Sequence, residues 1–324
     1  MEKEYTVASF FAGVGGIDLG LEQTGKFKTV YANEFDKFPA TTFSENFNLP
    51  VDVRDIATVQ ADEVPDTDVI IGGFPCQAFS VAGYRKGFED EKGRGVLFFE
   101  LLRIIKAKKP KVVLAENVKN LVGHDNGNTF RVIYEALRDA GYHVKYQVLN
   151  AMDYGNMAQN RERIYIVGFL DEGAAQRFEF PAPIRRTTTI RDIIEFETPQ
   201  DEHYYYSPGK YKNNLSEVLN EAIDDPDAIY QWRRKYVRKN KSGVVPTLTA
   251  NQGEGGHNVC IIRADDGRIR KMTPRECFNT QGFPKSFKLP ETLSDAKLYK
   301  QAGNSVCVPV IRRIGEQIIK ALEE

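Results

Sequence analysis

The sequence predicts an α/β fold: a mostly parallel, doubly wound sheet, joined to a second, smaller domain. Three observations carry this. Short apolar runs alternate with helical patterns through the first half, as strand–helix–strand units require. The alternation fades after Pro181-Ala182-Pro183. A strong helical stripe then returns at the end of the chain. With 324 residues there is enough chain for one large core or two.

Residues 7–10, 30–32, 69–71 and 112–115 are apolar runs that read as buried strands. From 96 to 108, Leu97, Phe98, Leu101, Leu102 and Ile105 recur at helical spacing, and Pro110 ends the pattern. Phe130, Ile133, Tyr134 and Leu137 make a second stripe, stopped by Gly141 at a C-cap position. Residues 144–149 and 163–169 read as a closing strand pair, and 53–56 lies near a further strand end. From about 184 to 298 the periodicity weakens and few helices stand out. Pro309 suits the first turn of a final helix, continued by Val310, Ile311, Ile314, Ile318, Ala321 and Leu322. The expected domains are 1–184, 185–298, and a segment 299–324 that returns to the first.

Hydrophobic residues make up 41% and charged residues 27%, the balance of a soluble globular chain rather than a membrane or disordered one. The formal net charge is −1, so any nucleic-acid surface must be local. The four cysteines, Cys76, Cys260, Cys277 and Cys307, form no C-x-x-C pair and no disulfide framework. No metal site is expected, and a cytoplasmic setting is. No signal-peptide pattern is visible, and no membrane contact is expected.

Cys76 stands in Gly72-Gly73-Phe74-Pro75-Cys76-Gln77, directly after Val69-Ile70-Ile71. A strand followed by a Gly-Gly and Pro turn holds this thiol at the strand's carboxyl end. Open α/β sheets bind ligands along that edge, so the thiol suggests a nucleophile.

Phe11-Ala12-Gly13-Val14-Gly15-Gly16 follows the first strand. Such a glycine run lets the backbone approach a ligand, and alone it also fits a plain tight turn. It is not a dinucleotide G-x-G-x-x-G, because position 18 is Asp18. Glu34 follows the second strand, about 20 positions on, where an acid can hold ribose hydroxyls; alone it also fits a solvated loop. Asp55 alone fits a cap or turn. Glu116-Asn117-Val118 follows the 112–115 strand, so a carboxyl and the Cys76 thiol share a pocket if the two strand ends are neighbours. Arg161 and Arg163, two apart in an extended segment, are expected to point the same way. They suit a carbonyl or phosphate, or a surface ion-pair ladder.

Taken together and in order, these runs resemble the DNA (cytosine-5) methyltransferases, over nearly the whole chain. The residues that carry the resemblance are F-A-G-x-G-G at 11–16, Glu34, G-F-P-C-Q at 73–77 and E-N-V at 116–118. They continue with Q-x-R-x-R at 159–163, Arg275-Glu276 with Gln281-Gly282-Phe283-Pro284, and Gln301 to Val306 around G-N-S. The spacings look like those of compact bacterial restriction-modification members.

The resemblance implies a Rossmann-like S-adenosylmethionine-dependent domain and a small target-recognition domain. It implies that Phe11 stacks on the adenine, with Ala12, Gly13, Gly15 and Gly16 shaping the loop. Glu34 would hold the ribose, Phe35 would face the adenine, Asp55 and Ile56 would take its edge, and Pro75, Asn304 and Ser305 would complete the cofactor site. Cys76 would be the nucleophile, Glu116 the acid on the ring, Arg163 a ligand of the cytosine carbonyl, and Arg161 a further member of the catalytic set. The product would be S-adenosylhomocysteine, with no metal. Double-stranded DNA is the implied substrate, a cognate restriction endonuclease an implied companion, and a monomer the implied state. The source would be bacterial or phage.

Gln77, Ser80 and Arg85, in the run after Cys76, are expected DNA contacts on a loop that closes over the substrate, with Gly83 and Gly87 as hinges. Ala82 lacks the side-chain hydrogen bond of a serine found there in a relative. The stretch from Tyr230 to Lys241 is basic, with aromatics and no acid. Arg233, Arg234 and Arg238 there suit phosphates and base edges, and DNA contact is favoured over a solvated charge run because the stretch lies in the variable region. Thr247 and Thr249 sit in a T-L element of the family, before a polar glycine loop containing His257. The 230–258 region resembles readers of CCGG, CCNGG or CCWGG sites. RNA methylation, a silent DNA-binding regulator and a nicotinamide dehydrogenase are the competing readings. The intact Cys76, Glu116 and Arg163 weigh against the silent regulator.

Overall fold

The computed structural model describes residues 4–75, 96–211, 214–233, 235–252 and 259–324, apart from the side chain of Val96. Two compact units emerge. The first comprises Met1–Leu149, Glu162–Ala182 and Val310–Glu324; the second comprises Asn150–Arg161 and Pro183–Pro309.

The first unit is a six-stranded sheet. Its chain order is β1 (Tyr5–Phe10), α1 (Gly16–Glu22), β2 (Phe27–Asn33), α2 (Lys37–Phe47), β3 (Val69–Gly72), α3 (Val96–Lys108), β4 (Val112–Val118), α4 (Asn128–Asp139) and β5 (His143–Asn150). The spatial order is β2-β1-β3-β4-β7-β5, where β7 is Glu162–Phe169. β1 pairs in parallel with β2 and β3, and β3 with β4; β7 runs antiparallel to β4. Strands buried on both faces need no alternation, which is why they read as plain apolar runs.

One face packs Phe10, Ile70, Val113 and Ile166 against Phe98, Leu101 and Ile105 of α3 and Ile133 and Leu137 of α4. Each such side chain, fully buried, contributes about 1.5–3 kcal/mol. The closing helix starts at Val308, so Pro309 does occupy its first turn. Gly315 on this helix faces Leu21, Thr24 and Phe27, and Arg177 donates to the Ala321 carbonyl near its end.

No strand forms at 53–56. Asp52 makes only an isolated bridge with Asn33. Asp55 instead caps a single 3₁₀ turn, accepting from the Ala57 amide.

The second unit is built from smaller pieces. β6 (Gln159–Asn160) pairs in parallel with β10 (Val245–Pro246). A four-stranded sheet has the order β12-β11-β8-β9, formed by Ile269–Lys271, Cys260–Arg263, Tyr230–Trp232 and Val237–Lys239. A helix at Leu215–Ala222 places Leu219 against Tyr230, Ile261 and Ile269 of that sheet. Two further helices, Pro274–Thr280 and Asp295–Asn304, complete a region whose weak periodicity predicts few. Thr273 and Glu276 form a capping box on the first of these. The Glu276 carboxylate also pairs, wholly buried, with Arg270 at 2.7 Å.

Candidate active site

Strand register gathers the candidate residues of the first unit. Phe10 is level with Asn33 and Gly72, and Gly72 with Ala115. The next residues along, Phe11, Glu34, Gly73 and Glu116, therefore form a row at the carboxyl edge. Because β7 is antiparallel, its first residues meet the same row: Arg163 lies opposite Val118. Strand order reverses beside β1, where open α/β sheets form their ligand crevice.

On the β1–β2 side, the Glu34 carboxylate is held by main-chain amides. Gly13 donates to Oε2 at 2.9 Å and Asp36 to Oε1 at 2.8 Å. Phe11 has φ of +52°, uncommon for a residue with a side chain. The Ala12 amide donates to the Asn33 carbonyl. Gly15 has φ of +82°, and a Cβ there would lie 2.3 Å from the Phe47 ring, so only glycine fits as the chain turns into Gly16 and α1. Phe35 is 70% exposed beside this turn, a large apolar face left open. Asn33 Nδ2 donates to the carbonyls of Asp52 and Arg54, tying in the strand-like segment before Asp55. Asp55 is exposed, whereas Ile56 is buried in the core.

Below the glycine turn sits a group that sequence reasoning passed over. Asp18 is fully buried and accepts from Ser9 and Thr29, each at 3.0 Å. Burial pushes its carboxyl up to about 7, against the opposing pull of the two hydroxyls. The sequence offered only a weak signal, an acid in a first helical turn two residues after a Gly-Gly pair.

On the β3–β4 side, Arg163 Nε lies 3.1 Å from Glu116 Oε1, with both side chains largely buried. A Cβ on Gly73 would lie 3.7 Å from Glu116 Oε2, so the carboxylate lies over the Gly73 backbone. Asn117 Nδ2 donates to the Phe74 carbonyl at 2.8 Å, pinning the turn to β4. Pro75 is exposed, and Cys76 follows it in the chain. Cys76, Gln77, Ser80, Ala82, Gly83, Arg85, Gly87, Arg234 and His257 lie outside the described residues.

Arg161 and Arg163 do not share partners. Arg161 belongs to the second unit, where its guanidinium donates to the carbonyls of Leu248 and Gly303, each at 3.0 Å, and to that of Ser305. Thr247 Oγ1 donates to the Asn160 carbonyl and Thr249 Oγ1 to Asn251. Asn304 is exposed; Ser305 is buried, and its hydroxyl has no hydrogen-bond partner among the described residues.

The basic run folds as a hairpin of β8 and β9, with the Arg233 amide bonded to the Tyr236 carbonyl across its turn. Arg238 is exposed. Lys239 is already neutralised by Asp225 at 2.9 Å and Asp224 at 3.5 Å.

Among the described residues, no helix is long and apolar enough to cross a membrane, and no cluster of His, Cys, Asp or Glu is placed to hold a metal.

Comparison with known proteins identifies the family. The sequence model of the C-5 cytosine-specific DNA methylase family matches residues 5–320. The chain is 60% identical over 316 residues to the type II methyltransferase M.Bsp6I of Bacillus sp. (strain RFL6), covering 98% of this chain and 99% of that one. It is 38% identical to the type II methyltransferase M.HhaI of Haemophilus parahaemolyticus, covering 96% and 93%. In fold it is similar to Entamoeba histolytica methyltransferase EhMeth, with a TM-score of 0.76 at 20% identity over 100% of both chains. It is likewise similar to the S. pombe Dnmt2 methyltransferase, at 0.75 and 19% over 99% and 100%. With these relatives along its length, the chain belongs to the C-5 cytosine-specific DNA methylase family and is a DNA cytosine-5 methyltransferase.

Proposed function

We propose that the protein methylates carbon 5 of a cytosine swung out of a short, specific duplex DNA sequence, through a covalent adduct at Cys76. The observation that carries this reading is the row at the sheet's carboxyl edge. There the turn leading to Cys76 is tied by Asn117 to the strand bearing Glu116, and Glu116 is paired with Arg163.

Carbon 5 of cytosine is too weak a nucleophile to take a methyl group unaided. Addition of the Cys76 thiolate to carbon 6, while Glu116 takes up a proton and donates it in a hydrogen bond to ring nitrogen 3, makes carbon 5 enamine-like. When bound, S-adenosylmethionine supplies the electrophilic methyl group. Loss of the carbon 5 proton then expels Cys76. Arg163 holds Glu116 and orients the base through its carbonyl. The stacked base hides both ring faces, so it must leave the helix, at about a few kcal/mol.

The cofactor fits the residues present. Glu34, fixed by two amides, suits ribose hydroxyls, and the exposed ring of Phe35 and the turn at Phe11 suit an adenine. Asp55 and Ile56 are assigned to its edge. Asn304 and Ser305 are assigned to the same ligand by the family resemblance, and the buried Ser305 hydroxyl has a hydrogen bond to give. Arg233, Arg238, Thr247 and Thr249 are assigned to DNA, with the second unit as the target-recognition part. A companion restriction endonuclease and a monomeric, cytoplasmic bacterial setting complete the proposal.

Expression in a methylation-free host followed by bisulfite sequencing tests it. Protected cytosines should fall at one fixed position of one short motif. An unmodified genome, or modification of transfer RNA instead, sinks the reading.

A further inference from the structure

Residues 159–161 hold the segment after β10 almost entirely through its backbone. Gln159 Oε1 accepts from the Leu248 amide, the Asn160 carbonyl accepts from Thr247 Oγ1, and Arg161 donates to the Leu248 carbonyl. The other end of the Arg161 guanidinium holds the carbonyls of Gly303 and Ser305. Gln159 Nε2 donates to the Thr280 carbonyl and to Gln281 Oε1, and Gln281 Nε2 donates to the Ala302 carbonyl. Backbone contact closes the circuit: a Cβ on Gly303 would lie 2.3 Å from the Thr249 carbonyl carbon. Arg161 is 2% exposed.

We infer that Arg161 is a positioning residue that couples the two ligands, rather than a group that touches the cytosine. The inference rests on the reading above, in which Thr247 and Thr249 meet DNA and Asn304 and Ser305 meet the cofactor. A guanidinium offers several donors in one rigid plane, so it can hold two backbone segments in a fixed relation. A shift of Leu248 on DNA binding must then move or strain the Gly303–Ser305 turn, and the reverse. Such coupling is reciprocal: each ligand tightens the other by the same factor.

The test measures S-adenosylhomocysteine affinity by calorimetry on the full chain. It is run alone and with saturating unmethylated duplex carrying the motif mapped by bisulfite sequencing. The wild type should bind at least about tenfold tighter with DNA present, within the range usual for such coupling. Arg161→Lys keeps the cation but cannot span both segments, and its factor should fall below about threefold, which a merely structural role would not single out. Hydrogen exchange on the unaltered protein needs no variant. S-adenosylhomocysteine alone should slow exchange at 248–251, and DNA alone at 303–305. Coupling kept intact in Arg161→Lys, or protection confined to each ligand's own segment, overturns the inference. Independent binding of both ligands to the wild type overturns it while leaving methyl transfer standing. Binding of neither removes the methyl-transfer reading and this inference together.

Discussion

Arg163 Nε lies 3.1 Å from Glu116 Oε1, across two neighbouring strands that run in opposite directions. Each group is the other's countercharge in a mostly buried place. Arg163→Ala should therefore cost about 3–5 kcal/mol in denaturant unfolding, since it strands a buried carboxylate. Arg163→Lys should recover part of that stability but not the turnover, because a lysine lacks the planar fork. Equal recovery of both would remove Arg163 from the chemistry.

Glu116→Gln keeps the shape of the side chain and removes its proton-donating ability. Turnover should fall by about 10²–10⁴-fold, with DNA affinity held within about threefold. Cys76→Ala should abolish methyl transfer and leave DNA binding intact. Turnover near wild type in single-turnover assays would end the nucleophile assignment.

Glu34 accepts two main-chain amides, so its orientation is set before any ligand arrives. Glu34→Ala should weaken S-adenosylhomocysteine binding at least about tenfold, as expected for lost charge-assisted hydrogen bonds, and leave DNA binding nearly unchanged. Calorimetry that ranks the two effects the other way counts against the ribose role.

Asp18 has a carboxyl raised from 3.8 to about 7 by burial. The folded protein thus holds a proton there that the unfolded chain has already lost. Its contribution is fully present below about pH 4 and is lost as pH rises to about 7, at most about 4 kcal/mol. Asp52, held down to about 2 chiefly by Arg54, titrates below this window. Between pH 5 and 8, wild-type stability should fall relative to that of Asp18→Asn. Parallel stability curves for the two proteins would show that Asp18 is not the group responsible.

Arg238 is exposed on β9, whereas its neighbour Lys239 is neutralised by Asp224 and Asp225. Arg238→Ala should reduce the slope of log affinity against log salt by about 1, and Lys239→Ala by less. Arg233→Ala should reduce affinity or site discrimination. Slopes unchanged from wild type in both variants would remove the hairpin's charges from the DNA-facing surface.

The buried strands were legible because a strand covered on both faces carries only apolar residues, as Val69-Ile70-Ile71 does. β4 was read short: it continues through Glu116 and Asn117, whose polarity serves the site and masks the strand. The sheet of β8, β9, β11 and β12 was not legible because its strands are three or four residues long, and β9, β11 and β12 carry arginines or lysines. Two residues of one motif, Arg161 and Arg163, alternate along an extended chain, yet they serve different partners. Local spacing fixes which side of a strand a residue takes, not which segments wait there. Asp18 was illegible because nothing local marks a carboxylate for burial; Ser9 and Thr29 come from two different strands.

The hold on Leu248 is made through its amide and its carbonyl, not its side chain. A protein engineer can therefore randomise the neighbouring positions 249 and 251 without cutting that anchor. Position 303 has no such latitude, since even a methyl group there would displace the Thr249 backbone. Variation in what is presented and constancy in how it is mounted are separated, residue by residue, along one short stretch of chain.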